Sequence, residues 1–166
     1  LAIGLILMIL LRSLIAPIYL CATIMFTYFS TIGISLLVFK FIFNQPFYTS
    51  SLPFFLFVFL NALGVDYNIY LMSRIREEAK TKSISKATQI AVAKTGGVIT
   101  SAGIILAGTF SALMVLPLTD LFQLGFAVAI GVIIDTFITR TLLVPAIVKL
   151  LGKYNWWPNK IIPSNK

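Results

Sequence analysis

Apolar residues along this chain come in long unbroken runs, and polar and charged residues gather between them. The runs cover about 1–11, 14–39, 52–73, 97–116 and 121–143. An α-helix rises 1.5 Å per residue, so about 20 apolar residues cross a hydrocarbon core of about 30 Å. Membrane β-strands instead show segments of roughly ten residues with alternating polarity. The pattern therefore predicts an all-α, polytopic transmembrane helical bundle, a partial helix plus four full helices. It places a transmembrane domain over 1–151 and a cytoplasmic C-terminal tail over 152–166. The first run reaches only about 16 Å and carries neither a basic leader nor a small-residue cleavage site. It reads as the end of a membrane helix whose chain continues upstream.

The polar breaks set the topology. Arg12 and Ser13 close the partial helix, and Pro17 lies in the first turn of the next, where proline is tolerated. Lys40 and the stretch from Asn44 to Ser51 form a loop rich in amide, hydroxyl and proline residues. The third helix is expected to stop at the charged cluster Arg74, Arg76, Glu77, Glu78, Lys80 and Lys82. Between Ile84 and Lys94 the spacing allows either a short interfacial helix or a solvated connector. Pro117 to Asp120 is so short a link that the helices on either side form an antiparallel hairpin. With this order of helices, every one of the 13 basic residues except Lys40 falls on one side. Cytoplasmic loops carry the excess of Lys and Arg, so that side and the C-terminus are expected to be cytoplasmic.

Composition sharpens this picture. The chain is 59% hydrophobic and 11% charged, with a mean hydropathy of +1.00, and 166 residues cannot hide so much apolar side chain in a soluble core. The net charge of +8 sits between and after the apolar runs, so it reports membrane topology and not a nucleic-acid partner. A single cysteine, Cys21, reads as a small apolar packing group. The absence of histidine removes Cys/His zinc sites and histidine acid–base chemistry. No cofactor or metal is expected. Tyr154, Trp156 and Trp157 follow Lys149 and Lys153 in the manner of an interfacial aromatic belt.

Within the apolar runs a few polar residues carry possible chemistry. Asp66 lies in the third helix about 12 Å from Arg74, in a segment otherwise almost uncharged. A charge at a helix centre costs roughly 2.5 to 3.5 kcal/mol on insertion scales, so such groups face a bundle interior or a wet cavity and mark functional sites. A carboxyl whose proton occupancy changes near physiological pH is what a proton-coupled machine needs, and the Tyr67 hydroxyl can donate or accept beside it. A permanently hydrogen-bonded acid that only holds helices together is the structural alternative. Asp135 and Arg140 are secondary candidates. At 100° per residue they stand about 140° apart, so each is expected to pair with another helix or with interfacial water, and Arg140 can snorkel toward the cytoplasmic face. Gly103, Ala107 and Ser111, and likewise Ala127, Gly131 and Asp135, recur at four-residue spacing that permits close helix packing. The hydroxyls of Thr100, Ser101 and Thr109 can hydrogen-bond a buried carboxylate, although such groups in membrane helices more often serve the backbone or helix contacts. The AKTGG stretch at Ala93 to Gly97 lacks the spacing of a nucleotide-binding loop, and nothing suggests an enzyme.

Five blocks carry a resemblance: LRSLIAP at Leu11 to Pro17, LGVDYNIYLMSRIREE at Leu63 to Glu78, TGGVITSAG at Thr95 to Gly103, GVIIDTFITRTLLVP at Gly131 to Pro145, and WWP at Trp156 to Pro158. With them the chain resembles the C-terminal membrane domain of MmpL-type transporters of the resistance-nodulation-division (RND) superfamily. The resemblance implies a parent of twelve transmembrane helices in two similar halves, of which this segment holds the end of the eighth and the ninth to twelfth. It implies a bacterial plasma-membrane exporter of lipids, fatty acids or other hydrophobic compounds, driven by protons. Asp66 and Tyr67 match the Asp-Tyr pair of the second half, whose counterpart lies in the N-terminal half. The partners are then the lipid bilayer, protons, a hydrophobic substrate and that other half. The rival expectation is a non-transporting module on the same fold, of sterol-sensing or scaffold type, since fold alone does not fix function.

Overall fold

The computed structural model describes residues 2–11, 13–44 and 51–158. Arg12, the body of the loop at 45–50, and Lys160 and Lys166 of the tail lie outside the described residues. Among the described residues six α-helices follow in order: α1 (Ala2–Leu11), α2 (Ile15–Phe41), α3 (Leu52–Ala79), α4 (Ile84–Ser111), α5 (Thr119–Ile134) and α6 (Val144–Leu151). A 3₁₀ turn, Ala112–Val115, ends α4, and a π-helical segment, Asp135–Leu143, joins α5 to α6 into one rod. A second 3₁₀ turn, Gly152–Trp156, closes the described chain. Four helices are long and apolar enough to cross a membrane: Ile15–Phe41, Leu52–Ala79, Ile84–Val115 and Thr119–Leu151. The chain is thus an all-α membrane bundle of a partial helix plus four full ones.

Helix boundaries depart from the hydropathy pattern where side chains support the backbone beyond the apolar run. The third helix does not stop at the charged cluster. It continues to Ala79 because Arg74 pairs with Glu77 and Glu78 one turn ahead, at the i,i+3 and i,i+4 spacings that stabilise helices. The stretch from Ile84 to Lys94 is neither a separate interfacial helix nor a connector. It is the first part of α4, which runs unbroken through Gly96 and Gly97. Each mid-helix glycine costs about 1 kcal/mol against alanine. Ala87, Ala91 and Thr95 offset this by burying one continuous face, and Lys94 ties α4 to Glu78 of α3 at 2.8 Å.

Two apolar clusters fill the bundle. One gathers Leu7, Leu11, Leu20, Leu71, Met72, Ile75, Val144, Val148 and Trp156 at the end where the basic residues lie. The other gathers Leu52, Leu56, Leu60, Ala107, Ala127, Val128 and Val132 toward the opposite end. There Phe39 of α2 meets Phe122 and Phe126 of α5 edge-on, at 5.8 and 5.4 Å. Trp156 is 1% exposed and Arg76 lies over its ring at 5.8 Å, so it belongs to the core and not to an interfacial belt. Tyr154 and Trp157 are the exposed members of that aromatic group. Gly152, at φ +53°, ends α6 in a backbone region that favours glycine and turns the chain back onto the bundle. The turn then docks: the Ser13 hydroxyl donates to the Asn155 carbonyl at 2.7 Å, and the Tyr19 hydroxyl donates to Asn155 Oδ1 at 2.8 Å.

Candidate functional site

Between the two apolar clusters lies a polar layer. Helix α2 contributes Thr23 and Thr27, α3 contributes Gly64 and Asn68, and the π-helical segment contributes Asp135, Thr136, Thr139 and Arg140, all buried. Close backbone approach makes the layer compact. A Cβ at Gly64 would stand 3.1 Å from Cγ1 of Ile24, and one at Gly131 would stand 2.8 Å from Cδ2 of Leu60. At Gly103 a Cβ would run into the Thr136 side chain, so the small-residue spacing of α4 serves its contact with the π segment.

Asp135 and Arg140 form an ion pair, against the expectation that they face apart. Arg140 Nε donates to Asp135 Oδ2 at 2.6 Å, and Nη2 donates to the same oxygen. The 100° rule assumes an α-helix, whereas this stretch is π-helical, with i→i+5 hydrogen bonds that bring residue 140 over residue 135. The Thr27 hydroxyl of α2 sits beside the same carboxylate and lies 2.8 Å from the Thr139 hydroxyl. Arg140 does not snorkel. It is 2% exposed, and its Nη2 also donates to the α3 carbonyls of Leu63 and Gly64 at 3.2 and 3.4 Å.

The guanidinium stacks at 4.5 Å over the ring of Tyr67, a cation–π contact in a dry setting. Through Arg140 the structure thus brings Asp135 and Tyr67 together, which no spacing rule anticipated. Asp66 stands one residue before Tyr67 on the exposed side of α3, and its charge acts on Arg140 through space. Among the described residues Asp66 has no hydrogen bond or salt bridge, so Tyr67 is not its hydrogen-bond partner here. Arg140 Nη1 and Asn68 Oδ1 are buried without partners. An unpaired buried polar atom costs about 1–3 kcal/mol, so these two atoms are a strain on the layer. The contacts join an aromatic ring of α3, a buried cation and a carboxyl of the π-helical segment, with Asp66 one residue from that ring on the exposed side of α3.

The model of the MMPL family matches residues 1–164. The chain is 46% identical over 159 residues to the apo-petrobactin exporter of Bacillus anthracis, covering 96% of this chain and 21% of that protein. It is 45% identical over 156 residues to the membrane protein ActII-3 of Streptomyces coelicolor, covering 94% and 22%. It is 42% identical over 153 residues to the sulfolipid-1 exporter MmpL8 of Mycobacterium tuberculosis, covering 92% and 14%. The chain therefore spans between 14% and 22% of the length of these relatives.

Proposed function

The chain belongs to the MMPL family, and from that premise we propose that it is the C-terminal part of the membrane domain of a proton-driven exporter of lipids or other hydrophobic compounds, not an enzyme. A relative named for sulfolipid-1 export supports the lipidic substrate class. The observation that carries the reading is Asp66, a carboxyl level with the buried polar layer, on a face of α3 that no described residue covers. Left against lipid, that charge would cost about 3 kcal/mol. In the intact protein the face therefore meets the N-terminal half of the same transporter or a wet passage. The exporter resides in a bacterial plasma membrane, with the C-terminus in the cytoplasm.

Asp66 is the proton-binding group of this reading, and Tyr67 transmits its state. Protonation removes a negative charge from the field acting on Arg140, whose guanidinium simultaneously stacks on Tyr67, pairs with Asp135 and bonds α3 carbonyls. Each proton taken up or released changes the balance that fixes the π segment against α3. That couples proton movement to helix packing, which a transporter needs and a static scaffold does not. The test is export by the full-length protein reconstituted in vesicles under an imposed pH gradient. Asp66→Asn should insert and fold normally yet lose export, and export at the unmodified rate sinks the proposal.

A further inference from the structure

The break between α1 and α2 leaves backbone groups that neither helix can pair internally. Two distant parts of the chain supply the partners. The Leu11 carbonyl, at the end of α1, accepts from Arg76 Nη1 of α3 at 3.1 Å. The Leu14 amide donates to the Trp157 carbonyl at 2.9 Å, and Ser13 pairs with Pro158 as a single antiparallel bridge. The Ser13 hydroxyl accepts from the Ala16 amide in the first turn of α2 at 3.2 Å while it donates to the Asn155 carbonyl. The turn at Gly152–Trp156 and the two residues after it are thus the partner of the α1–α2 elbow. Its two faces differ: Asn155 and Trp156 are 0% and 1% exposed, whereas Tyr154 and Trp157 are exposed. Tyr19 of α2 holds Asn155 Oδ1, and the Trp156 indole lies under the Arg76 guanidinium, in the cluster that also contains Leu7 of α1 and Val148 of α6. Asn155 Nδ2 and Trp156 Nε1 are buried without partners, so the turn is held by its other bonds and by burial of the indole.

We propose that residues 152–158 form a clasp that stays closed through transport, so that the α1–α2 elbow and the rod of α5, the π segment and α6 move as one body at the basic end of the bundle. The inference rests on the export reading above and adds to it how a change at the buried ion pair reaches α1. Asp135 and Arg140 sit in the rod whose end is the clasp, so a shift of that rod is delivered through the turn to the elbow. Arg76 brings α3 into the same body, because one guanidinium holds both the end of α1 and the Trp156 ring. Opening the clasp would strand the Leu14 amide and the Ser13 and Tyr19 hydroxyls and uncover a tryptophan. All of these losses run through one short turn, so they fall together, and a buried polar group left without its partner is costly. Motion during transport then lies between this body and the rest of the transporter, not within the elbow.

The test uses the full-length protein in vesicles, with its native cysteines replaced and with Leu14→Cys and Trp157→Cys introduced. These two residues stand opposite each other across the antiparallel pairing, and both side chains are exposed. Opposed Cα atoms in such a pair are about 5.5 Å apart, within disulfide reach. The pair should oxidise to completion at the same rate with and without an imposed pH gradient, and the cross-linked protein should export within about twofold of its reduced form. Trp156→Ala should lower export about tenfold, and the same cross-link should restore about half of it, which mending a tie does and filling a cavity does not. Export that stops on oxidation and returns on reduction overturns the proposal, since the clasp must then open. Oxidation that the gradient slows about tenfold overturns it for the same reason. Full export by Trp156→Ala, or a loss that the cross-link leaves untouched, shows that the tie is not needed. Should Trp156→Ala fail to insert, Ser13→Ala with Tyr19→Phe removes two bonds to Asn155, keeps the indole and gives the same comparison. Oxidation of the pair reports the clasp even in a protein that exports nothing, and Asp66→Asn export reports the proton-driven reading, so each can fail alone.

Discussion

Arg140 ties the π-helical segment to α3 through a single side chain. It is buried at the centre of the bundle, and its guanidinium contacts Asp135, the Tyr67 ring and two α3 carbonyls at once. Removing one partner of a buried ion pair leaves the other charge uncompensated, which costs about 3–5 kcal/mol, whereas replacing both with neutral groups is close to neutral. Arg140→Leu is therefore expected to lower thermal stability of the detergent-solubilised protein by roughly that amount, and Asp135→Asn added to it should recover most of the loss. An additive double variant would show that the two residues do not act as a pair. Arg140→Lys keeps the charge but loses the planar fork and the stacking on Tyr67, so it should insert normally and export more slowly. At this scale the sequence marked Asp66, Tyr67, Asp135 and Arg140 by the cost of polar groups in an apolar run. It gave Asp135 and Arg140 separate partners, which the ion pair between them overturns, because partners are set by the local helical period and by neighbouring helices.

Among the elements, the π-helical segment is the one that local rules missed. Its residues, DTFITRTLL, read as ordinary helix within a long apolar run, and the five-residue spacing of Asp135 and Arg140 was the available signal. Taken with a 3.6-residue period the spacing separates the pair, and taken with the wider π turn it joins them. The segment also meets α4 at close quarters, through Gly103 against Thr136. Overpacking a filled interface costs about 1–3 kcal/mol. Gly103→Ala should destabilise the bundle by that much in thermal unfolding, and Thr136→Ala in the same protein should relieve most of it. If Gly103→Ala alone is neutral, α4 does not sit that close. The continuity of α4 through Gly96 and Gly97 carries the same lesson, since burial of one face outweighs two poor helix formers.

For the whole molecule, orientation is the property most open to a direct test. A fluorescent reporter fused after Lys166 should light in the cytoplasm, and alkaline phosphatase at the same place should stay inactive. The reverse result would invert the topology. Fold class, number of spans and the charge asymmetry of the loops were all readable from the chain, because they follow from hydrophobic length and charge counting. Those are sums over local residues and need no knowledge of neighbours. What the tertiary structure alone decided is which polar groups meet: Arg140 with Asp135 and Tyr67, Trp156 with the core, and Asp66 with an open face. In a membrane almost every helix is apolar all round, so periodicity no longer says which side faces inward. Contact between helices then depends on where small residues let backbones approach and on where a buried charge finds its counterpart.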